Sequence, residues 1–213
     1  MTIGIVCYPT FGGSGVLATE LGIELSKRGY NIHFITYHQP VKLELLNHKV
    51  HFHEVKVPKY PLFHYPPYEL ALSSKLVEMV KKYKIDLLHV HYAIPHAYAA
   101  YMAKKILDDI GINIPIVTTL HGTDITLVGS HPFYRPAVTF SINHSDRVTA
   151  VSKSLKDDTL NLFDIKKKID VIPNFIDVEA ITSKEKPCKR TLLAEKEEKI
   201  LTHVSNFLSL IHI

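Results

Sequence analysis

Short apolar runs alternate with helical patterns along most of the chain. The apolar runs predict β-strands at residues 3–7, 32–36, 50–57, 87–91, 116–120, 147–151 and 169–172. Apolar residues at helical spacing predict helices from about residue 14 and at residues 69–83, 95–110, 134–143 and 153–163. Strands and helices that alternate this regularly predict an α/β fold, with a Rossmann-like doubly wound parallel sheet covered by helices on both faces.

The first strand and the first helix are joined by a glycine-rich loop, Gly12-Gly-Ser-Gly15. Because a helix begins near Ser14, the loop places free backbone amides at a helix N-terminus, where an anion is favoured. The glycines let a ligand approach the main chain and permit positive φ angles. The spacing is not GxGxxG, and no acidic ribose-binding residue follows the second strand, so a dinucleotide is not indicated. A loop that serves tight packing alone is the structural alternative.

Polar residues follow several of the predicted strands at their carboxyl ends. They are residues 12–15, Tyr92, residues 121–124 and Asn174. In open parallel sheets, ligands bind in the crevice beyond the carboxyl ends of the strands. The sequence therefore predicts that these residues converge on one edge of the sheet and form a ligand site there.

Composition and charge restrict the class of protein. The 213 residues are 46% hydrophobic and 22% charged, as in a globular protein. The net charge of the chain is +4, but the basic residues are scattered, so no nucleic-acid partner is predicted.

No apolar run reaches the ~18–20 residues of a membrane span, and no basic leader precedes the first strand. With only Cys7 and Cys188, far apart in the chain, a cytoplasmic protein is expected.

Histidine pairs raise the question of a metal site. His51 with His53, and His89 with His91, are two residues apart and so share a strand face, and His96 is near in sequence. Zinc sites need three or four convergent ligands, and no cysteine or carboxylate pattern completes one here. We therefore predict no bound metal and no cofactor.

Four motifs occur in a characteristic order. They are Gly12-Gly-Ser-Gly15, Thr119-Leu-His-Gly-Thr-Asp124, Asp146-Arg-Val-Thr-Ala-Val-Ser152 and Val171-Ile-Pro-Asn-Phe-Ile-Asp177. Together they resemble the acceptor-side half of the retaining glycosyltransferases of family 4, over residues 3 to about 207. Further segments narrow the resemblance to the members that begin bacillithiol synthesis: Cys7-Tyr-Pro, His51-Phe-His-Glu-Val55, Tyr65-Pro-Pro-Tyr68, His89-Val-His-Tyr-Ala93 and His203-Val-Ser-Asn-Phe207.

The resemblance implies the GT-B architecture, in which two Rossmann-like domains face each other across a cleft. The N-terminal domain holds the acceptor, and the C-terminal domain holds the nucleotide sugar. The implied reaction moves N-acetylglucosamine from UDP-N-acetylglucosamine to the hydroxyl of L-malate. The implied transfer keeps the α configuration and needs no metal.

The resemblance also assigns roles to particular residues. Gly13, Ser14 and Gly15 are expected to bind a carboxylate of L-malate at the helix start. His121 is the expected catalytic residue, and acts by positioning and charge stabilisation because this type of transfer has no settled protein nucleophile. The remaining expected acceptor-binding residues are Tyr92, Thr119 and Asn174.

Each of these residues also has a purely structural interpretation. Tyr92 could be a half-buried tyrosine at a strand end, and Thr119 a β-branched strand residue. His121 could be a histidine bound to backbone, and Asn174 could shape a turn. Asp124 is expected to cap the segment that follows it, outside the site.

The sequence predicts three parts of unequal size. Residues 1–178 form the acceptor-binding domain, residues 179–207 a linker and the first strand of a donor domain, and residues 208–213 a non-native tail left by truncation, frameshift or assembly error. Without the donor domain the chain is expected to be inactive and to self-associate. The sequence leaves open whether the complete enzyme is a homo-oligomer. The nucleotide sequence after codon 207 would test the tail.

Two other functions stay open at this point. The first is a family 4 transferase with another acceptor, such as a phosphoinositol or a lipid-linked sugar. The second is a stand-alone module that binds a small anion. Calorimetry with L-malate and turnover by the full-length gene product would separate these hypotheses.

Overall fold

The computed structural model describes residues 1–43, 49–59, 61–62, 64–176, 178 and 190–201. Within these ranges, seven strands form a single sheet. They are β1 (Thr2–Val6), β2 (Asn31–Thr36), β3 (Val50–Glu54), β4 (Leu87–His91), β5 (Ile116–Leu120), β6 (Arg147–Ala150) and β7 (Ile169–Val171). The strand order is β3-β2-β1-β4-β5-β6-β7, and each neighbouring pair is parallel. The predicted doubly wound parallel sheet is confirmed.

Helices connect the strands. They are α1 (Gly13–Lys27), α2 (Tyr68–Tyr83), α3 (Tyr98–Asp108), α4 (Arg135–Asn143) and α5 (Lys153–Leu162). Ser152 caps the N-terminus of α5, because its Oγ accepts a hydrogen bond from the amide of Leu155 at 3.1 Å. A short helix, Arg190–Leu193, lies near the C-terminal end of the described residues.

Two π-helical turns follow β4 and β5. The first π turn is Ala93–Ala97 and the second is Thr123–Leu127. The prediction of one helix over residues 95–110 was therefore wrong at its start. The extended backbone of Ile94, with φ −129° and ψ 143°, delays the regular helix until Tyr98.

Helix α1 packs on the sheet through its small residues. Its buried positions are Gly15, Ala18, Thr19, Gly22 and Ser26. Its larger apolar residues, Val16, Leu17, Leu21 and Leu25, are only half-buried. The reason is close approach: a Cβ on Gly22 would lie 2.4 Å from Cζ of Phe34 in β2. Larger residues on this face would push the helix off the sheet.

Both faces of the sheet are buried, as expected for parallel strands flanked by helices. In β1, Ile3 and Ile5 belong to a core cluster with Ala18 of α1. The next residue, Val6, belongs instead to the cluster formed with α2 and α3. Alternate residues of one strand therefore enter two different core clusters.

The strand order reverses between β1 and β4. From β1 the chain continues outward to β2 and β3, and it then returns to place β4 on the other side of β1. In doubly wound sheets the crevice at such a switch point is the usual ligand site. The glycine loop follows β1 and Tyr92 follows β4, so the two flank this crevice.

The chain divides into two compact units, Met1–Asn174 and Phe175–Ile213. The predicted boundary at residue 178 and the roles given to residues 179–207 and 208–213 stay predictions, because residues 179–189 and 202–213 lie outside the described residues. The apolar residues from Lys199 to Val204 predict the first strand of the donor domain, but the described part of that segment, residues 199–201, is not a strand. None of the helices in the described ranges has the length and apolar character that a membrane span requires.

Candidate acceptor site

Tyr92 joins the glycine loop to the central strands. Its hydroxyl donates a 2.7 Å hydrogen bond to Ser14 Oγ, and its amide donates a 2.9 Å hydrogen bond to the carbonyl of Thr119. The backbone of Tyr92 has φ +83°. A tyrosine in this region costs on the order of 1–3 kcal/mol, and such residues cluster at functional sites. The two hydrogen bonds hold the strained residue at the crevice.

The glycine loop leads directly into α1, as predicted. None of its glycines uses the positive φ angle that glycine permits, and Gly12 has φ −72°. A Cβ on Gly15 would lie 2.5 Å from the carbonyl oxygen of Tyr8, whereas a Cβ on Gly13 would meet nothing within 4 Å. Gly15 therefore serves close backbone packing, and Gly13 leaves the start of α1 open.

The first turn of α1 is suited to an anion. The helix begins at Gly13, so the amides of Gly13, Ser14 and Gly15 precede the first intrahelical hydrogen bond, from Val16 to Gly12. No acidic side chain lies in this turn to compete with a ligand. Ser14 accepts its hydrogen bond from Tyr92, so its own hydroxyl hydrogen stays available.

The ring of His121 lies against His91 and Tyr92. Nε2 of His121 is 2.8 Å from Nδ1 of His91. The ring centroid is 5.0 Å from that of His91 and 5.1 Å from that of Tyr92. Burial, and then the charges of His89 and His96, lower the pKa of His121 to about 4. The imidazole is therefore neutral near pH 7.

Thr119 is buried, and its side chain is engaged by the protein. Its Oγ1 lies 2.8 Å from Nε2 of His89 and 2.8 Å from Oγ1 of Thr149. Its carbonyl accepts the amide of Tyr92. Thr119 thus connects β4, β5 and β6 beneath the site, and its predicted contact with the acceptor stays a prediction.

Asp124 has a larger part than the sequence indicated. Its Oδ2 accepts from the amide of Ala93 at 3.0 Å, and its Oδ1 accepts from the amides of His121 at 3.3 Å and Gly122 at 3.0 Å. Burial raises the pKa of this carboxyl, and the backbone hydrogen bonds act in the opposite direction. One side chain thus ties together the segments that carry Tyr92 and His121. The one sequence feature that indicated this role was the position of Asp124 in the same motif as His121.

A cavity of about 520 Å³ lies next to Tyr92. It is lined by Tyr8, Glu69, Tyr92, Ile94, Pro95, Tyr98, Thr123, Asp124, Val128, Tyr134 and Ala137. Among the residues predicted for the site, Tyr92 alone lines it. The ring of Tyr8 contacts both Tyr92, at 5.1 Å, and His96, at 4.6 Å. The sequence did not predict Tyr8 as a site residue, although it lies between β1 and the glycine loop.

Asn174 is separated from the other predicted residues. It follows β7 and is exposed, whereas His121 follows β5. Strand β6 lies between them, so two strand spacings, roughly 10 Å, separate the ends of β5 and β7. The structure therefore brings together Ser14, Tyr92, Thr119 and His121, and leaves Asn174 along the same edge at a distance.

The predicted histidine pairs lie in two groups. His33 joins His51 and His53 on β2 and β3, with His33 Nδ1 2.8 Å from His53 Nε2. The other group includes His89, His91 and His121 on and after β4 and β5. The structure holds no group of three or more histidine, cysteine or carboxylate side chains arranged for a metal ion, as far as the chain is described.

The parallel seven-stranded sheet with helices on both faces has the form of one Rossmann-like half of a GT-B fold. Residues 11–180 match glycosyltransferase family 4, and the chain belongs to that family. It is 49% identical over 208 residues to N-acetyl-α-D-glucosaminyl L-malate synthase of Bacillus anthracis. That match covers 97% of this chain and 54% of the relative, so the chain spans about half the length of the curated relative.

Solved structures share the fold. A glycosyltransferase from Rickettsia africae matches with a TM-score of 0.63 at 23% identity, over 87% of this chain and 46% of that chain. A sucrose-phosphate synthase from Thermosynechococcus elongatus matches with a TM-score of 0.57 at 16% identity, over 81% of this chain and 47% of that chain. These structures are GT-B glycosyltransferases, and the parallel sheet described here corresponds to one half of that architecture.

Proposed function

We propose that this chain is the acceptor-binding half of a retaining glycosyltransferase that moves N-acetylglucosamine from UDP to the hydroxyl of L-malate. The observation that carries the proposal is the hydrogen bond from Tyr92 to Ser14, because it links the open helix start at the switch point of the sheet to the tyrosine that packs on His121. The identity of 49% to the Bacillus anthracis L-malate synthase supports this acceptor in particular.

In this proposal one carboxylate of L-malate binds at the first turn of α1. The amides of Gly13, Ser14 and Gly15 and the hydroxyl hydrogen of Ser14 supply donors there, and the helix dipole favours the negative charge. The exposed position of Gly13 lets an anion reach the main chain. Thr119 and Asn174 are proposed to contribute further contacts to the acceptor.

His121 is proposed to act as a neutral hydrogen-bonding group. Because its pKa is lowered, the imidazole of His121 carries no positive charge near pH 7. It therefore orients the transferred sugar or the acceptor, and stabilises developing charge, by hydrogen bonding. During transfer the bond from the anomeric carbon to UDP breaks and a bond to the malate hydroxyl oxygen forms. The hydroxyl proton leaves with the UDP phosphate. The proposal includes no metal and no cofactor.

Two measurements test the function. Calorimetry of this chain with L-malate is expected to give submillimolar binding, with D-malate and succinate as controls that lack the correctly placed hydroxyl. The full-length gene product is expected to release UDP from UDP-N-acetylglucosamine only when L-malate is present, and equally well after EDTA treatment. Turnover with a phosphoinositol or a lipid-linked sugar, and none with L-malate, would reject the acceptor. If this chain binds L-malate but the full-length gene product shows no turnover with any of these acceptors, the anion-binding module would be favoured.

The remaining proposals concern the cell. An enzyme of this kind acts on cytoplasmic substrates, so we propose a cytoplasmic location. Fractionation of cells with an antibody against the chain tests this location. Light scattering of the full-length protein tests whether it is a homo-oligomer, and light scattering of this chain tests the predicted self-association.

A further inference from the structure

Two of the buried polar atoms that lack a hydrogen-bond partner among the described residues belong to the histidines beside the site. They are Nε2 of His91 and Nε2 of His96. His91 is 1% exposed, and burial, followed by the charges of neighbouring histidines, holds its pKa well below the usual value. His91 is therefore neutral, and it carries one ring hydrogen that must lie on either Nδ1 or Nε2.

The environment decides between these two positions. A hydrogen on Nε2 would be a buried donor without an acceptor among the described residues. A hydrogen on Nδ1 is accepted by Nε2 of His121 at 2.8 Å. An unpaired buried N–H is rarer in proteins than an acceptor with an unused lone pair. His91 therefore carries its hydrogen on Nδ1 and leaves a bare lone pair on Nε2.

The neighbouring His96 shows the same arrangement with an unambiguous partner. Its Nδ1 lies 2.6 Å from the carbonyl oxygen of His91. A carbonyl can only accept, so His96 also carries its hydrogen on Nδ1 and has a bare Nε2. Both buried imidazoles thus use Nδ1 as the donor.

The state of His91 fixes the state of His121. Nε2 of His121 accepts the hydrogen bond from His91, so the single hydrogen of neutral His121 lies on Nδ1. His121 is only half-buried, and its Nδ1 is not one of the buried unpartnered atoms. We propose that His91 is a positioning residue that holds His121 in the Nδ1–H tautomer, so that His121 presents a hydrogen-bond donor, and no proton acceptor, to an oxygen atom of the substrate. That this oxygen atom belongs to a substrate rests on the proposed function, whereas the tautomer of His121 follows from the contacts of His91 alone.

Nitrogen NMR of the ¹⁵N-labelled chain at pH 7 tests the inference without any ligand. Correlations between ring hydrogens and ring nitrogens distinguish a protonated nitrogen from a bare one, and the His121→Gln variant assigns the His121 signals. The expected pattern is a protonated Nδ1 and a bare Nε2 on both His91 and His121. A proton on Nε2 of either ring would overturn the inference. Since no L-malate is added, this result is independent of whether the proposed acceptor is correct.

Two variants test whether His91 is the cause. In His91→Phe the donor is lost while a planar ring remains, and His121 is expected to become a mixture of both tautomers. The matched variant His89→Phe alters the ring that stacks on His91 at 4.7 Å but leaves the hydrogen bond to His121. It is expected to keep the Nδ1–H pattern. An unchanged pattern in His91→Phe, or an equal loss in His89→Phe, would contradict the role of that hydrogen bond.

Discussion

The hydroxyl of Tyr92 donates a hydrogen bond to Ser14 across 78 positions of sequence, and this contact connects the two sides of the switch point. It leaves the hydroxyl hydrogen of Ser14 for another acceptor. The same tyrosine packs on His121 and lines the neighbouring cavity. Tyr92 therefore links the helix start, the histidine and the cavity.

Replacing Tyr92 by phenylalanine tests this link. A neutral hydrogen bond contributes about 0.5–1.5 kcal/mol, so Tyr92→Phe is expected to weaken L-malate binding roughly 2- to 10-fold in calorimetry. Tyr101→Phe is the matched control, because Tyr101 packs on Phe140 at 5.0 Å, away from the glycine loop. Equal affinities for the two variants would argue against a role of Tyr92 in holding Ser14.

Asp124→Asn is expected to damage both turns that follow β4 and β5. The carboxylate accepts amides with both oxygens, whereas an asparagine offers one oxygen and turns an NH₂ group toward an amide. We expect the free energy of unfolding to fall by about 2–3 kcal/mol, as measured by urea denaturation. Binding of L-malate should weaken as well, because the segments carrying Tyr92 and His121 lose a shared anchor.

The control for Asp124 lies in the same turn. Thr126 is exposed, and its hydroxyl donates to the carbonyl of Gly122 at 3.1 Å. Thr126→Ala removes this contact without leaving a buried group unpaired, so its effect on unfolding should stay within about 1 kcal/mol. A loss as large as that of Asp124→Asn would mean that the turn is generally fragile and that the carboxylate has no special part.

The strands could be predicted from the sequence because buried parallel strands are continuous apolar runs. Leu87–His91 and Ile116–Leu120 were predicted with the bounds that the structure has. The buried face of α1 could not be predicted in this way. Gly22 is required by its contact with Phe34, and that neighbour is specified by the fold and not by the spacing of apolar residues within the helix.

The site was predictable to the extent that strand ends determine it. Ser14, Tyr92 and His121 come together because β1, β4 and β5 are adjacent, and a parallel sheet brings their carboxyl ends to one edge. The contributions of Asp124 and His91 were missed because their partners are reached only after β4 and β5 pair. Asn174 shows the limit of the argument, since a shared edge does not imply a short distance.

Gly15 and Gly13 allow packing and binding to be separated. A Cβ on Gly15 would press on backbone oxygens of Tyr8 and Thr10, at 2.5 and 2.6 Å, and backbone cannot yield as a side chain can. Gly15→Ala is expected to lower the free energy of unfolding by about 1–3 kcal/mol. Gly13→Ala meets open space, so its unfolding free energy should not fall, since alanine favours a helix.

The affinity for L-malate is the second measurement made on the Gly13→Ala and Gly15→Ala variants. In Gly13→Ala an added methyl group stands at the open helix start, so L-malate affinity should fall although the fold is intact. Calorimetry and urea denaturation on the same samples provide the two measurements. Unchanged affinity in Gly13→Ala would remove Gly13 from the proposed acceptor site, and unchanged stability in Gly15→Ala would contradict the close packing of the loop.

The histidines of β2 and β3 predict that the fold weakens in mild acid. Burial, and then the charges of His53 and His51, lower the pKa of His33 to about 4, and His33 is 4% exposed. In the unfolded chain its pKa is near 6.5, so between pH 6.5 and 4 the unfolded state binds more protons. The stabilisation is therefore complete above pH 6.5 and is lost as the pH falls toward 4. For His33 alone, the expected loss between pH 7 and pH 5 is on the order of 1–2 kcal/mol.

The variant His33→Phe isolates this contribution. Phenylalanine does not titrate, so the loss of unfolding free energy between pH 7 and pH 5 should be smaller in the variant than in the original chain by an amount on the order of 1–2 kcal/mol. The comparison uses the change with pH, so any cost of the substitution at pH 7 cancels. His131→Phe, which removes an exposed histidine instead of a buried one, is the matched control. Equal pH dependence for His33→Phe and the original chain would show that His33 is not titrating differently in the folded state.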